Sequence, residues 1–434
     1  MQGKPPYDDI KSLWQATAVP RTVSTALVDD VQCDVVIIGG GYTGLSSAKY
    51  LAKRGLHPVV LEASSVGWGA SGRNGGVVST EYRLDFRDIA KHHGLDIARH
   101  MYRVGIEAVE HVGQLIDEYG IASADYRPIG SLKCAHNDLA LKMLSDEAAW
   151  LKASLNDTAS TMLSSSEVAQ ETGSSGFVGG MLCRHGGVIH PLNFVLGIAD
   201  GIRAAGVSIY ERTPALEIRR DHLGVTVTTP EGSVRAKQVV LATDGYSELT
   251  GVTKRIRNAI IPFRSAMIAT QPLTGTPAAH LLGEGRSYTE TRRMMRWFRK
   301  VGDRLLYGGR GAFGKTDSEA AFGALRSAMH SQFPELEAID VTHRWSGLVS
   351  LTIDSVPHLG RLDDRTVYSV GYNGTGVAMS SYIGQHVASV VAGESPNLGL
   401  ITTYPLKFLP FYSIREPAVR IVAGWYQFLD AIGR

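Results

Sequence analysis

Three glycines at 39, 41 and 44, spaced G-x-G-x-x-G, and a carboxylate at Glu62 have the types and spacing to hold a dinucleotide. Gly39 allows a tight turn, Gly41 lets a pyrophosphate approach the backbone, and Gly44 lets a helix pack closely on a strand. Glu62 lies 18 residues beyond Gly44, where a carboxylate accepts hydrogen bonds from adenosine ribose hydroxyls and repels a 2′-phosphate. NADP is therefore disfavoured. These residues act together only if regular elements position them. Residues 34–38 form a β-branched apolar run, the pattern of a buried parallel strand, and a helical segment follows over about 43–54. Gly55 stands where a C-cap glycine belongs, and a second buried strand over 58–61 delivers Glu62. Tyr42 and Thr43 open the helix whose unpaired N–H groups would meet the phosphates, and Ala63 and Ser64 extend the adenosine side.

A second glycine-rich loop follows at once, ASSVGWGASGRNGG, with glycines at 67, 69, 72, 75 and 76. A nicotinamide-binding fold usually enters a crossover helix at this point, whereas so many glycines let backbone crowd a bulky ligand. The GASGRNGG element at 69–76 resembles the D-amino-acid oxidase family of flavoproteins, in particular its gamma-glutamylputrescine oxidase-like branch. The resemblance implies FAD. It places Gly69, Ala70, Ser71, Arg73 and Asn74 along the pyrophosphate–ribityl stretch and Gly75 and Gly76 near the isoalloxazine ring. By the same resemblance the backbone at 214–216, with Ala215 and Leu216, holds the adenine, and the turn Thr243, Asp244, Gly245 touches the cofactor. Asp244 departs from the family's more usual glycine. Gly347 belongs to the returning segment WSGLVSLTIDSVPHLG, in which Asp354, Pro357 and Gly360 match a D-x-x-P-x-x-G spacing. Gly371, Asn373, Gly374, Thr375 and Gly376 make a third strand–glycine-loop–helix unit, whose helix N-terminus suits the flavin edge that gains negative charge on reduction. Some relatives tether FAD through a late cysteine. Here none follows Cys183, so non-covalent FAD is expected.

At 434 residues the chain can bury a large core and is expected to form two domains. Its 44% hydrophobic and 20% charged residues describe an ordinary globular protein, and a net charge of +2 argues against polyanion binding as the main function. No apolar run reaches the roughly 18 residues of a membrane span, and the first thirty residues carry no secretory h-region. Cys33, Cys134 and Cys183 are far apart and lack any zinc-ligand spacing, so no metal is expected and a reducing cytoplasm is the simplest setting. His190, in V-I-H-P just before a helix, reads as a capping residue rather than a base.

The expected fold is α/β: a Rossmann-like FAD-binding domain with an inserted α+β substrate domain of mainly antiparallel sheet, as in the D-amino-acid oxidase and glutathione-reductase type of FAD fold. The FAD domain is expected from 31–83, 188–257 and 346–395, and the substrate domain from 84–187 and 258–345. Residues 1–30 are a polar lead-in and 396–434 a C-terminal extension with one apolar helical face. The resemblance implies oxidation of a C–N bond in an amine or amino acid, with a gamma-glutamyl amine, an N-methyl amine or an aminophosphonate among the substrates. Oxygen or another acceptor would reoxidise the flavin. No carboxylate pair or Ser/His/Asp set stands out as catalytic. For an anionic substrate group the candidates are Arg310 in Y-G-G-R-G, Arg264, and Arg296 within TRRMMRWFRK, with Trp345 as a further substrate contact. A tRNA-modifying flavoprotein and a catalytically silent FAD-binding protein are the competing readings. No nucleic-acid module or integral membrane segment is visible, and oligomeric state is left open.

Overall fold

The computed structural model describes residues 12–312, 319–410, 412 and 421. Among the described residues the strands form two large sheets and two small ones. The first large sheet has six strands in the order His358–Asp363, Thr366–Val370, Gln238–Leu241, Val35–Ile38, Pro58–Leu61, Ser208–Tyr210. All its pairs are parallel except the first. Val35–Ile38 and Pro58–Leu61 are buried at every position, which is why they read as continuous apolar runs.

Helices Tyr42–Lys53, Pro191–Ala204 and Gly376–Val391 cover one face of this sheet with a common core of Leu45, Phe194, Ile198, Ile383 and Val387. The long helix Leu95–Tyr119 joins the same core through Met101, Val104, Ala108 and Leu115. Residues 95–119 therefore pack on the six-stranded layer, although the chain division above had placed them with the substrate domain. Their apolar stripe meets Gly376–Val391 instead of the other sheet. The helical pattern over 84–119 is also broken at Gly94, whose φ of 95° ends Phe86–His93 before Leu95–Tyr119 begins.

The second large sheet has eight strands, ordered Val341–Leu351, Ile261–Thr270, Arg304–Ala312, Arg296–Val301, Ser287–Glu290, Ser131–Ala135, Gly179–Cys183, Ser160–Ser164. It is antiparallel except where Ser287–Glu290 meets Ser131–Ala135, the one parallel pair that joins its two distant pieces of chain. Val341–Leu351 lies wholly in this sheet, so the return to the six-stranded layer comes after 351 and not at 346.

The lead-in is strapped onto the body. Arg21 and the Ser24 N–H both reach the fully buried Glu211 carboxylate, which also accepts from the Val66 N–H at 2.7 Å. Among the described residues no helix is long and apolar enough to cross a membrane. The apolar face expected over the C-terminal helix lies outside the described residues, apart from Ile421.

Candidate active site

Three strands of the six-stranded sheet end in loops at one edge: Val35–Ile38 at Gly39, Gln238–Leu241 at Thr243, and Thr366–Val370 at Gly371. The carboxyl ends of parallel strands are where such sheets bind ligands. Here they form one side of a cleft of about 1670 Å³, and the eight-stranded sheet forms the other. That volume exceeds the roughly 300–1,000 Å³ of a single small-molecule pocket, leaving room for a dinucleotide and a substrate together.

The nucleotide side is built mostly from backbone. Gly41 is the N-cap of Tyr42–Lys53 and supplies no side-chain cap, so the first-turn N–H groups of this helix face the cleft, with only that of Tyr42 taken among the described residues, by Ser71 Oγ at 3.0 Å. Gly44 does not line the cleft. A Cβ there would stand 1.9 Å from the Gly39 carbonyl oxygen, the close helix–strand contact its position predicts. Glu62 opens into the cleft while accepting the Gly40 N–H at 2.7 Å and the Ser64 N–H at 2.9 Å. Burial pushes its pKa up, and the two N–H groups oppose that shift. Ala63, Ser64, Ala215 and Leu216 line the same end.

The middle of the cleft is walled by Gly69, Ala70, Ser71, Arg73, Asn74 and Gly75, together with Thr243, Asp244 and Gly347. Asp244, the departure from the family pattern, has φ of 40° and a structural task. Its carboxylate accepts the Gly371 N–H at 2.8 Å and the Ser350 hydroxyl, tying the two glycine loops to the second sheet. Asn373, Gly374, Thr375 and Gly376 line the cleft, and Thr375 leaves helix Gly376–Val391 without a side-chain cap. A second helix N-terminus thus faces the site.

Four expected cofactor contacts besides Gly44 stand behind the wall. Gly76, Gly245 and Gly371 shape loops without lining the cleft, and Asp354 is paired with His358 Nε2 at 3.0 Å. His190 caps Pro191–Ala204 by accepting the Asn193 N–H at 3.1 Å, and burial lowers its pKa to about 4.

The substrate candidates fare differently. Arg264 is buried on the side of its strand away from the cleft and donates to Ser346 Oγ at 2.6 Å, so it does not reach a substrate there. Trp345 is fully buried and its indole donates to the Arg73 carbonyl at 3.0 Å; it supports the loop and does not line the cleft. Arg296 also stays off the cleft, 3.4 Å from the buried Glu290 carboxylate, whereas Arg292, 3.3 Å from the same residue, lines it. The strand begins only at Arg296, so Arg292 precedes it and reaches the cleft from the connecting loop. Arg310 stands in strand register with Ser265, a lining residue, and its side chain lies outside the described residues.

Sequence reasoning missed the far end of the cleft. Lys133 sits there between Glu81 at 3.0 Å and Glu147 at 3.1 Å, beside Met143 and Leu144. Burial would lower the lysine pKa, but the two carboxylates carry it above its ordinary value. These residues come from a loop, a strand and a helix, a grouping no local pattern announces. Trp68 and Tyr246, whose rings meet edge to face at 5.5 Å, also line the site, and the aromatic residue inside a glycine run was the available signal for Trp68.

The glycine-first βα turn, the ribose-facing acid, and two uncapped helix N-termini around one cleft define a dinucleotide-binding flavoprotein, and the bare backbone cradle fits FAD. Residues 34–390 match the family DAO, FAD dependent oxidoreductase. The chain is 33% identical over 427 residues to gamma-glutamylputrescine oxidoreductase of Escherichia coli K12, covering 97% of this chain and 98% of that one. It is 24% identical to glycine oxidase of Bacillus subtilis over 84% of this chain and 94% of that protein. The crystal structure of glycine oxidase from Geobacillus kaustophilus superposes with a TM-score of 0.73 at 20% identity, over 87% of this chain and 99% of that one. The chain belongs to the DAO family of FAD-dependent oxidoreductases, an enzyme class that oxidises C–N bonds of amines and amino acids.

Proposed function

We propose that the protein oxidises an extended amine whose far end carries charge, a gamma-glutamyl amine being the leading case. The carrying observation is the extent of the cleft: its lining includes Gly75 and Val77 and also the Glu81–Lys133–Glu147 cluster, whose lysine stands on the second sheet. Similarity to a gamma-glutamylputrescine oxidoreductase over nearly the whole chain supports the same substrate class. In this reading the six-stranded layer holds the cofactor and the eight-stranded sheet selects the substrate. Those of the residues expected above that line the cleft, from Gly39 to Gly376, hold FAD without a cysteinyl link; Cys33, Cys134 and Cys183 all lie away from the cleft. Three free cysteines fit a reducing cytoplasm.

Bound FAD supplies the hydride acceptor, and the chain's own residues position and desolvate the amine. Only a neutral amine has the lone pair that drives hydride loss, so kcat/KM should rise with pH toward the amine's pKa.

An anaerobic flavin-bleaching screen tests the proposal. Primary amines, N-methyl amines, amino acids, gamma-glutamyl amines and aminophosphonates are compared, and oxygen is then admitted to separate oxidase from dehydrogenase. Bleaching by short amines alone, or by none of these classes, rejects it. Arg310 remains the proposed clamp for an anionic substrate group. Arg310→Ala should raise KM with FAD content full, and Arg310→Lys should restore it only in part, because lysine lacks the bidentate fork.

A further inference from the structure

The four peptide carbonyls of residues 73–76 all turn away from the cleft. Arg73 O accepts from the Trp345 indole at 3.0 Å, and Asn74 O from the Trp14 indole at 2.8 Å. Gly75 O and Gly76 O both accept from Arg299 Nη1, at 3.3 and 2.6 Å, and the same nitrogen reaches Ile189 O at 3.0 Å. Trp14, Trp345 and Arg299 are 0%, 0% and 2% exposed, and none of them lines the cleft. The chain has no cis peptide among the described residues, so the N–H groups of Asn74 and Gly75, which follow the Arg73 and Asn74 carbonyls, point the opposite way, toward the cleft. Gly76 N–H is turned back to Asn74 Oδ1 at 2.8 Å. The Asn74 and Gly75 N–H groups have no partner among the described residues.

Arg299 is an unusual residue to place here. It has no carboxylate within ion-pair distance among the described residues, and its Nε is buried without an acceptor. Carbonyl oxygens and the Trp14 ring, 5.7 Å from its Cζ, surround it, and Asp125 favours its charge only from beyond ion-pair distance, against the neighbouring Arg127. Holding a cation out of water without a counter-ion is costly, and a well-packed apolar residue would fill the space at lower cost. Burial lowers its pKa only to about 9, so the charge persists at neutral pH. A cation kept at that cost, under a loop whose N–H groups face the cofactor, points to a partner that gains negative charge.

We propose that Arg299 is a positioning residue for the redox step: it anchors the Gly75 and Gly76 carbonyls, beside the peptides that Trp345 and Trp14 turn so that the Asn74 and Gly75 N–H groups face the flavin, and it sets a buried positive charge behind that loop, favouring the reduced ring. The proposal rests on the reading that Gly75 lies against the isoalloxazine ring.

The test uses FAD-replete protein carrying Arg299→Gln, which keeps a donor and loses the charge, or Arg299→Lys, which keeps the charge and loses the fork. Readouts are FAD stoichiometry, affinity for sulfite as a probe of the ring's electrophilicity, and midpoint potential. Arg299→Gln should bind sulfite at least tenfold more weakly, and each tenfold loss of the two-electron reduced form lowers the potential by about 30 mV. Arg299→Lys should lose about threefold. If Arg299→Gln does not fold, the lysine variant decides alone. Unchanged sulfite affinity and potential, even with a lowered melting temperature, reduce Arg299 to a packing role and overturn the proposal. Gly75→Ala separates this from the reading beneath it. A shifted flavin absorption spectrum places the loop on the ring, whereas an unaltered one removes the ring from the loop and the proposal with it.

Discussion

The two walls of the cleft are made of different materials. The wall from the six-stranded layer is backbone: glycine turns at 39, 41, 374 and 376, and two helix N-termini without side-chain caps. The wall from the eight-stranded sheet and the segments packed on it is side chains, among them Lys133, Glu147, Arg292 and Trp297. A cofactor that never changes is held by conformation, which few residue types can supply at a given φ or a given closeness. A substrate is chosen by functional groups, which many positions can supply. Damage to the first wall should therefore cost FAD, and damage to the second should cost selectivity with FAD in place.

The largest effect is expected at Gly44. An alanine Cβ would stand 1.9 Å from the Gly39 carbonyl oxygen and 3.3 Å from Ile37 Cγ2. The first of these is backbone and cannot rotate away, so the βα turn must open. Gly44→Ala should lose about 3 kcal/mol of stability, near the top of the overpacking range, and most of its FAD. Thermal melts and the flavin-to-protein absorbance ratio report both. Full FAD content in this variant would mean that the turn tolerates rearrangement and that the first wall is less conformational than claimed.

A smaller effect separates the two layers by pH. His111 lies buried among the helices of the six-stranded layer, its Nε2 2.8 Å from the Tyr50 hydroxyl. It faces Lys49, Lys53, Glu118 and His386, and the Tyr382 ring. Burial, with Lys49 next, depresses its pKa from 6.5 to about 3. The unfolded chain therefore takes up a proton near pH 6.5 that the folded chain refuses until about pH 3. Stability is full above 6.5 and declines as pH falls through that window, by about 2 kcal/mol at pH 5 at 1.36 kcal/mol per unit. His111→Gln should flatten this part of the slope. If denaturation of the two proteins follows parallel pH curves, His111 is not the acid-sensitive element of the cofactor layer.

The same division of material explains what the sequence disclosed. The turn at Gly39, the close packing at Gly44 and the cleft-facing positions of Gly41 and Glu62 were legible because each demands one residue type at a fixed offset within one βαβ unit. The parallel strands were legible from their unbroken apolar runs, and His190 as a cap from the proline after it. Arg264, Trp345 and Arg296 were misassigned because which face of a strand meets a cleft depends on where the strand starts. The strand holding Arg296 begins only at that residue, after the first arginines of TRRMMRWFRK. Leu95–Tyr119 was placed on the wrong layer because an apolar stripe states that a helix is covered and not by what. Lys133, Glu81 and Glu147 were invisible, since three chain segments converge only after folding.

That cluster supplies the smallest test, and the one that bears most directly on the second wall. Lys133 is held by two carboxylates that are themselves 40% and 30% exposed, so its pairs belong near the weak, surface range of about 0–1 kcal/mol. Lys133→Met should thus cost about 1 kcal/mol of stability and leave FAD content unchanged. Its kinetic effect should depend on substrate length. Short amines do not reach from the flavin loop to this end and should keep their kcat/KM. An extended amine with a distal cation should gain up to about fivefold, because the cluster loses its only lysine and keeps both carboxylates, while one with a distal carboxylate should lose a similar factor. Burial already pushes the Glu147 pKa up, and losing Lys133 should raise it further, so the gain for a distal cation should fade as pH falls and Glu147 takes up its proton. A change shared equally by short and extended amines would move the effect to the flavin, and the cleft's far end would then have no part in choosing the substrate.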